Sequence, residues 1–262
     1  MKRGFWFFPL LVLLLVPPAS GEYFKGKWVY GRGLFSYPDG QTYIGPLENS
    51  GFSGKAVYES PDGRQYVGDF QNGTFHGQGT LTYPDGSVYQ GEFRNGEFNG
   101  QGTLQYADGK RYEGAFRNNR FHGEGTLRFP DGRVYVGGFR DGCPHGTGRY
   151  TDPDGQKYSG QWAGDAYHGK GTLDFAAGHH YTGHLRNGKP HGKGKMVWPN
   201  KMVYEGDFLN GDRHGTGKLV FPNGKQYVGE FANDQIHGTG TIIRPDGTRY
   251  QGQFRQGRQT NN

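Results

Sequence analysis

One short pattern of apolar and polar positions recurs through most of this chain. Tyr66, Gly68 and Phe70 alternate with Val67 and Asp69. This period of two predicts a strand with one aromatic face. Asn72-Gly73 then marks a turn. A second strand is expected from about Gly77 to Tyr83, with Gly77, Gly79, Leu81 and Tyr83 on one face and Gln78, Thr80 and Thr82 on the other. Pro84-Asp85-Gly86 turns the chain back: proline presets φ, aspartate bonds its own backbone, and glycine takes positive φ. The stretch reads as a β-hairpin, and consecutive hairpins are expected to pair.

The pattern keeps a 23-residue register. Tyr43, Tyr66, Tyr89, Tyr112, Tyr135, Tyr158, Tyr181, Tyr204, Tyr227 and Tyr250 open successive units, each with glycine two positions on and Phe, Trp or Leu four positions on. Nine full units run from 43 to 249. A degenerate unit over 22–42 precedes them, and a partial unit over 250–257 follows. Residues 258–262 read as a polar, disordered tail. The motif Tyr-x-Gly-x-Phe-x-Asn-Gly-x-x-His-Gly-x-Gly closely resembles the MORN (membrane occupation and recognition nexus) repeat. The resemblance covers roughly residues 24–257. Departures are local: Leu47 and Leu185 replace the Phe, Ser53 and Asn99 replace the His, and Asn200-Lys201 is expected to break a Pro-Asp-Gly turn.

The fold class expected is all-β, an elongated array of antiparallel hairpins forming a single twisted sheet. Two strands per unit at about 4.8 Å give roughly 10 Å per repeat. Glycines on the ring face let rings of neighbouring strands lie over positions without a Cβ, which recovers part of glycine's entropy cost. No unit can bury its rings alone, but its neighbours can cover them.

Residues 1–21 break the pattern. Lys2 and Arg3 precede an apolar run from Phe5 to Val16, and Ala19-Ser20-Gly21 offers small residues before Glu22. This is the form of a secretory signal peptide, with an uncleaved membrane anchor as the alternative. Export then means the periplasm or exterior for a bacterial source, and the endoplasmic reticulum lumen or beyond for a eukaryotic one. Setting Lys2 and Arg3 aside leaves 28 basic and 24 acidic residues, interspersed. A nucleic-acid binder more often carries a basic stripe, so no nucleic-acid partner is expected. The single cysteine, Cys143, cannot form an intrachain disulfide and reads as part of an exposed turn.

Catalytic and metal signatures are absent. The sequence has no Gly-x-Ser-x-Gly elbow and no phosphate loop. His76, His122, His145, His168, His191, His214 and His237 share one repeat position, which points to a structural hydrogen bond closing the hairpin. His180 and His184 lie about 13 Å apart along one strand face, too far to share an ion readily. No cofactor, metal or catalytic residue is assigned. A ring-lined face on a single sheet is expected to stay partly open, so a protein partner is expected there, at Trp162, Tyr167, Phe175 and Trp198, where repeats depart most from consensus, and at Tyr181. The resemblance implies the same non-catalytic scaffold role. It also implies the alternative, peripheral binding to anionic, phosphoinositide-type lipids, for which Lys189, Lys193 and Lys195 are the candidates. Some MORN repeats share a chain with lipid kinases, but this sequence has no kinase domain. Unpaired end strands make a homodimer a further expectation.

Overall fold

A computed structural model describes residues 25–29, 32–48 and 51–260, and the leader read from residues 1–21 lies outside them. The chain divides into two compact units, one up to Cys143 and one from Pro144. All regular structure among the described residues is antiparallel strand. The first unit holds β1 (Lys25–Val29), β2 (Arg32–Ser36), β3 (Thr42–Gly45), the short pair β4 (Leu47–Glu48) and β5 (Gly51–Phe52), then β6 (Gly54–Glu59), β7 (Gln65–Gln71), β8 (Thr74–Thr82), β9 (Val88–Arg94), β10 (Glu97–Gln105), β11 (Arg111–Arg117), β12 (Arg120–Arg128) and β13 (Val134–Arg140). Apart from β4 and β5, which pair with each other, each strand pairs with the next. Pro46, which has no N–H to give a ladder, stands where the Tyr43 unit departs from the others.

The second unit follows the same plan. It contains β14 (Cys143–Thr151), β15 (Lys157–Ala163), β16 (Ala166–Asp174), β17 (His180–Arg186), β18 (Lys189–Val197), β19 (Val203–Leu209), β20 (Asp212–Val220), β21 (Gln226–Ala232), β22 (Gln235–Ile243), β23 (Arg249–Arg255) and β24 (Arg258–Thr260), paired in chain order.

Most of the described hairpins close on a turn with two positive φ angles, such as Asn72 (φ 50) and Gly73 (φ 76), the geometry that matches strand twist. The turn also stitches neighbouring hairpins. Gly73 N donates to Phe52 O, Gly96 N to Phe75 O, and Gly211 N to Pro190 O, at 2.8–3.0 Å. At the opposite end, Gly86 N donates to Tyr83 O and Asp85 Oδ1 accepts from Ser87 N.

The second strand of the hairpin is not a simple continuation of period two. Phe70 faces Phe75 and Asp69 faces His76, but Gly68 faces Gly79, so Gly77 and Gln78 form a bulge. Gly77 adopts φ +59, and a Cβ there would meet the Asp69 side chain. Gly77 therefore does not share the ring face with Gly79, contrary to the strict alternation.

Three further expectations are corrected. Arg258–Thr260 is not a loose tail but a strand on β23, because Gln256 and Gly257 reproduce the positive-φ turn and Gly257 N makes the same stitch, to Ile236 O. Asn200-Lys201 does not break its turn: Lys201 N still donates to Trp198 O, with Lys201 held at φ 69. Cys143 is half-buried at the head of β14 rather than an exposed turn residue.

Candidate binding surface

The ring face is closed by its own side chains. Every unit-opening Tyr from Tyr43 to Tyr227 is at most 1% exposed. The ring lies over the glycine of its own strand and, as expected, over the paired glycine of the neighbouring strand. Tyr66 covers Gly68 and the paired Gly79, where an added Cβ would sit 2.4–2.5 Å from the Tyr66 hydroxyl. That hydroxyl donates to Asp69 O at 2.8 Å, and the same bond recurs from Tyr89 to Glu92 O, Tyr112 to Ala115 O and Tyr204 to Asp207 O. The repeated histidines contribute their carbonyls here, at 3.2–3.5 Å from the Tyr66, Tyr112, Tyr158, Tyr204 and Tyr227 hydroxyls. Their imidazoles do not close the hairpin, and Nδ1 of His76, His122 and His191 is buried without a hydrogen-bond partner. A Phe from the next strand then stacks on the Tyr ring: Tyr66 on Phe75 at 3.8 Å and Tyr89 on Phe98 at 3.6 Å, with Phe70 and Phe93 edge-on. Burial pushes the tyrosine hydroxyls up, to about 12 at Tyr158, Tyr181 and Tyr227.

The five aromatic candidates do not form one surface. Trp162 is 4% exposed and meets Tyr167 edge-on at 4.8 Å, while Tyr167 stacks on Tyr158 at 4.0 Å. Tyr181 is fully buried. Phe175 and Trp198 stand half-buried at the turn edge, on either side of His179. A single layer thus buries its rings more fully than expected, because rings lying flat on glycine need little cover.

The opposite face is open. At the glycine row no side chain covers it, so the backbone itself is the floor of a trough. In the first unit the floor runs through Gly68, Gly79, Gly91, Gly102, Gly114 and Gly125, each facing the next across paired strands. One wall carries residues such as Val67, Thr80, Gln90, Thr103 and Glu113, and the other carries Asp69, Gln78, Glu92 and Gln101. The concavity over β8–β13 measures about 610 Å³. In the second unit Gly183, Gly194, Gly206, Gly217 and Gly229 form the floor of a concavity of about 800 Å³, walled by Thr182, Lys193, Lys195, Glu205 and Thr216.

The sequence pattern that defines the MORN repeat matches residues 66–88, 89–111, 112–132, 135–157, 158–180, 181–203, 204–226, 227–249 and 250–260. This chain belongs to the MORN repeat family. The matches begin at Tyr66, yet the MORN register extends in the structure to Tyr43, which stacks on Phe52 at 3.7 Å. A search of curated proteins gave no match. Among solved structures, the TCP10 domain of Danio rerio CPAP is similar at 15% identity, over 88% of this chain and 100% of that one, with a TM-score of 0.33. The SAS-4 (dCPAP) TCP domain in complex with a proline-rich motif of Ana2 of Drosophila melanogaster is similar at 11%, over 94% and 99%, with a TM-score of 0.21. A streptogramin B lyase follows at 10%, over 89% and 87%, with a TM-score of 0.20.

Two MORN positions carry roles that the alternation did not suggest. The residue three after the Tyr caps the bulge in several units: Asp69 Oδ2 accepts from Gln78 N, Glu92 Oε1 from Gln101 N and Asp207 Oδ2 from Thr216 N, at 3.0–3.1 Å. The residue nine after the Tyr supplies the stacking ring through the units opened by Tyr43, Tyr66, Tyr89 and Tyr112, where Phe52, Phe75, Phe98 and Phe121 at 23-residue spacing were the available signal. The lysine candidates are exposed but not equivalent. Lys193 Nζ lies 2.8 Å from Asp207 Oδ1, Lys195 faces Glu205 across the strands, and Lys189 stands opposite Arg186 by the hairpin turn. Among the described residues, no group of three or more His, Cys, Asp or Glu side chains is placed to hold a metal.

Proposed function

We propose that this MORN-repeat scaffold holds a protein partner along its glycine-floored trough, and that the leader directs it to the secretory route. The carrying observation is the asymmetry of the two faces. The rings are consumed in self-packing, while the opposite face offers long concavities floored by bare backbone. Ladder bonds already occupy that backbone, so a partner would be recognised by side chains seated against glycine and by the polar walls. This moves the reading from the ring face to the glycine side of the same strands. The alternative, anionic lipid on Lys189, Lys193 and Lys195, is weakened by the carboxylates facing Lys193 and Lys195.

The test is capture by the purified protein from native extract with phosphoinositide vesicles present, at low and high salt. A protein retained at high salt, and lost when Thr103→Tyr and Thr182→Tyr narrow the trough, is the expected result. Capture of vesicles alone, lost at high salt, would overturn the reading in favour of lipid.

A further inference from the structure

The two units carry the same trough with opposite character. In the first unit, one wall begins with an unbroken row of exposed aliphatic residues. Leu34 faces Ile44, Ile44 faces Val57, and Val57 faces Val67 on successive strands β2, β3, β6 and β7. Each is 41–55% exposed, although the ring face behind them is sealed. Cross-strand neighbours on one face lie about 5 Å apart, so the four form a contiguous strip rather than scattered surface residues.

The strip leads into an acidic stretch. The concavity beside Ile44, Val57 and Val67 shares Gln78 and Gln90 with the larger one over β8–β13. From β6 to β13 the two rows that flank the glycine floor carry Asp69, Glu92, Glu113 and Glu124 against Lys55, whereas Lys27 and Arg32 stand on the same rows at the aliphatic end. Arginines occupy the next rows out, and Arg111 pairs with Glu113 at 2.7 Å. The corresponding rows of the second unit carry Arg149, Lys170, Lys193, Lys195 and Lys218 against Glu205, Asp207 and Glu230.

We infer that the first-unit trough receives a protein segment that is aliphatic at one end and basic at the other, its apolar residues on the strip and its Lys or Arg residues over the acidic stretch. This rests on the scaffold reading above and specifies its partner. Charge complementarity selects the basic end. Burial of the strip selects the aliphatic end. The same carboxylates disfavour an anionic membrane at this trough.

The experiment is selection of a random-sequence displayed peptide library on the purified protein, followed by affinity measurement of the enriched peptides. Enriched sequences should carry an aliphatic cluster beside Lys or Arg. Their affinity should fall about tenfold or more in Val57→Thr/Val67→Thr and in Glu113→Gln/Glu124→Gln, a change of about 1.4 kcal/mol per decade. Lys193→Gln/Lys195→Gln should leave it unchanged. All these positions are exposed or half-exposed, and circular dichroism checks that each variant folds. Acidic peptides, or peptides sensitive only to the Lys193 and Lys195 substitutions, would overturn this inference and leave the scaffold reading standing. No enrichment would also overturn it, and if extract capture likewise retains no protein, the scaffold reading falls with it.

Discussion

Replacing Gly125 by alanine tests the packing rule on which the whole array depends. Its backbone is not left-handed, so the issue is space alone. The new Cβ would lie 2.4 Å from the Tyr112 hydroxyl and 2.6 Å from two ring carbons. The ring has nowhere to go: it stacks on Phe121 at 3.8 Å and is held edge-on by Phe116 and Phe139 at 5.0 and 5.1 Å. Overpacking costs about 1–3 kcal/mol. Displacing the ring also loses its hydrogen bond to Ala115 O, worth about 0.5–1.5 kcal/mol. Removing glycine's freedom returns about 0.5–1 kcal/mol. The net expected loss is roughly 0.5–4 kcal/mol, centred near 2. Repeat arrays open locally, so urea denaturation should be paired with amide exchange across β11–β13. In a Tyr112→Leu background the clash is gone, and Gly125→Ala should cost close to nothing, a coupling of about 2 kcal/mol. Equal losses in both backgrounds would refute the reasoning, since the ring would then not be what excludes the side chain.

Three further outcomes follow from the same geometry. Asp207→Ala removes the acceptor of the Thr216 amide and hydroxyl together with the Lys193 pair. It should cost about 1–2 kcal/mol, with faster amide exchange concentrated at the β20 bulge. Lys201→Gly relieves a left-handed non-glycine residue and should raise stability by about 1 kcal/mol, read as a higher urea midpoint. Tyr158 and Tyr181 have hydroxyls raised by burial from 10.0 to about 12. Their neutral forms therefore favour the fold fully below pH 10, and that contribution is lost as pH rises toward 12. Tyrosinate absorbance should rise together with loss of the β-sheet circular dichroism signal, whereas ionisation near pH 10 with the sheet intact would contradict this.

Much of the fold was legible because its two strongest signals act locally. A Tyr two residues before Gly, followed by Asn-Gly and later Pro-Asp-Gly, fixes strand, hairpin turn and return turn from neighbouring residues alone. The bulge was not legible. Gly77 falls in step with Gly79 and Leu81, and its positive φ turns the would-be Cβ to the other face. The sealing of the ring face was also missed, for a physical reason: alternation counts faces, not how flat a ring lies. The stacking position nine after each Tyr was obscured by its diversity, since Tyr167, Pro190, Arg213 and Ile236 fill in the second unit what Phe fills in the first. The open trough was the hardest to read, because its floor is the absence of side chains, which in sequence looks the same as a packing requirement.

Arg213 shows how tightly the ring face is held. It stands where a stacking Phe is otherwise found. Its guanidinium lies 5.7–5.9 Å from the ring centres of Trp198, Tyr204 and Phe231 and bonds Asp234 Oδ1 at 2.8 Å. A charged residue at this position thus keeps the stack only with several rings and a carboxylate around it. The wall position that follows each Tyr carries no such demand. Val67, Gln90, Glu113, Val136, Thr182, Glu205 and Val228 occupy one repeat position, apolar, polar and acidic alike, because nothing behind that position has to pack against it. Strand pairing tolerates each of them through exposed cross-strand contacts worth about 0.2–1 kcal/mol. Residues constrained by packing report on the fold, and residues released from it are free to report on a partner. The chemical difference between the two units lies in the second set, and that is why recognition is argued here from Leu34, Ile44, Val57, Val67 and their acidic neighbours rather than from the tyrosines that define the repeat.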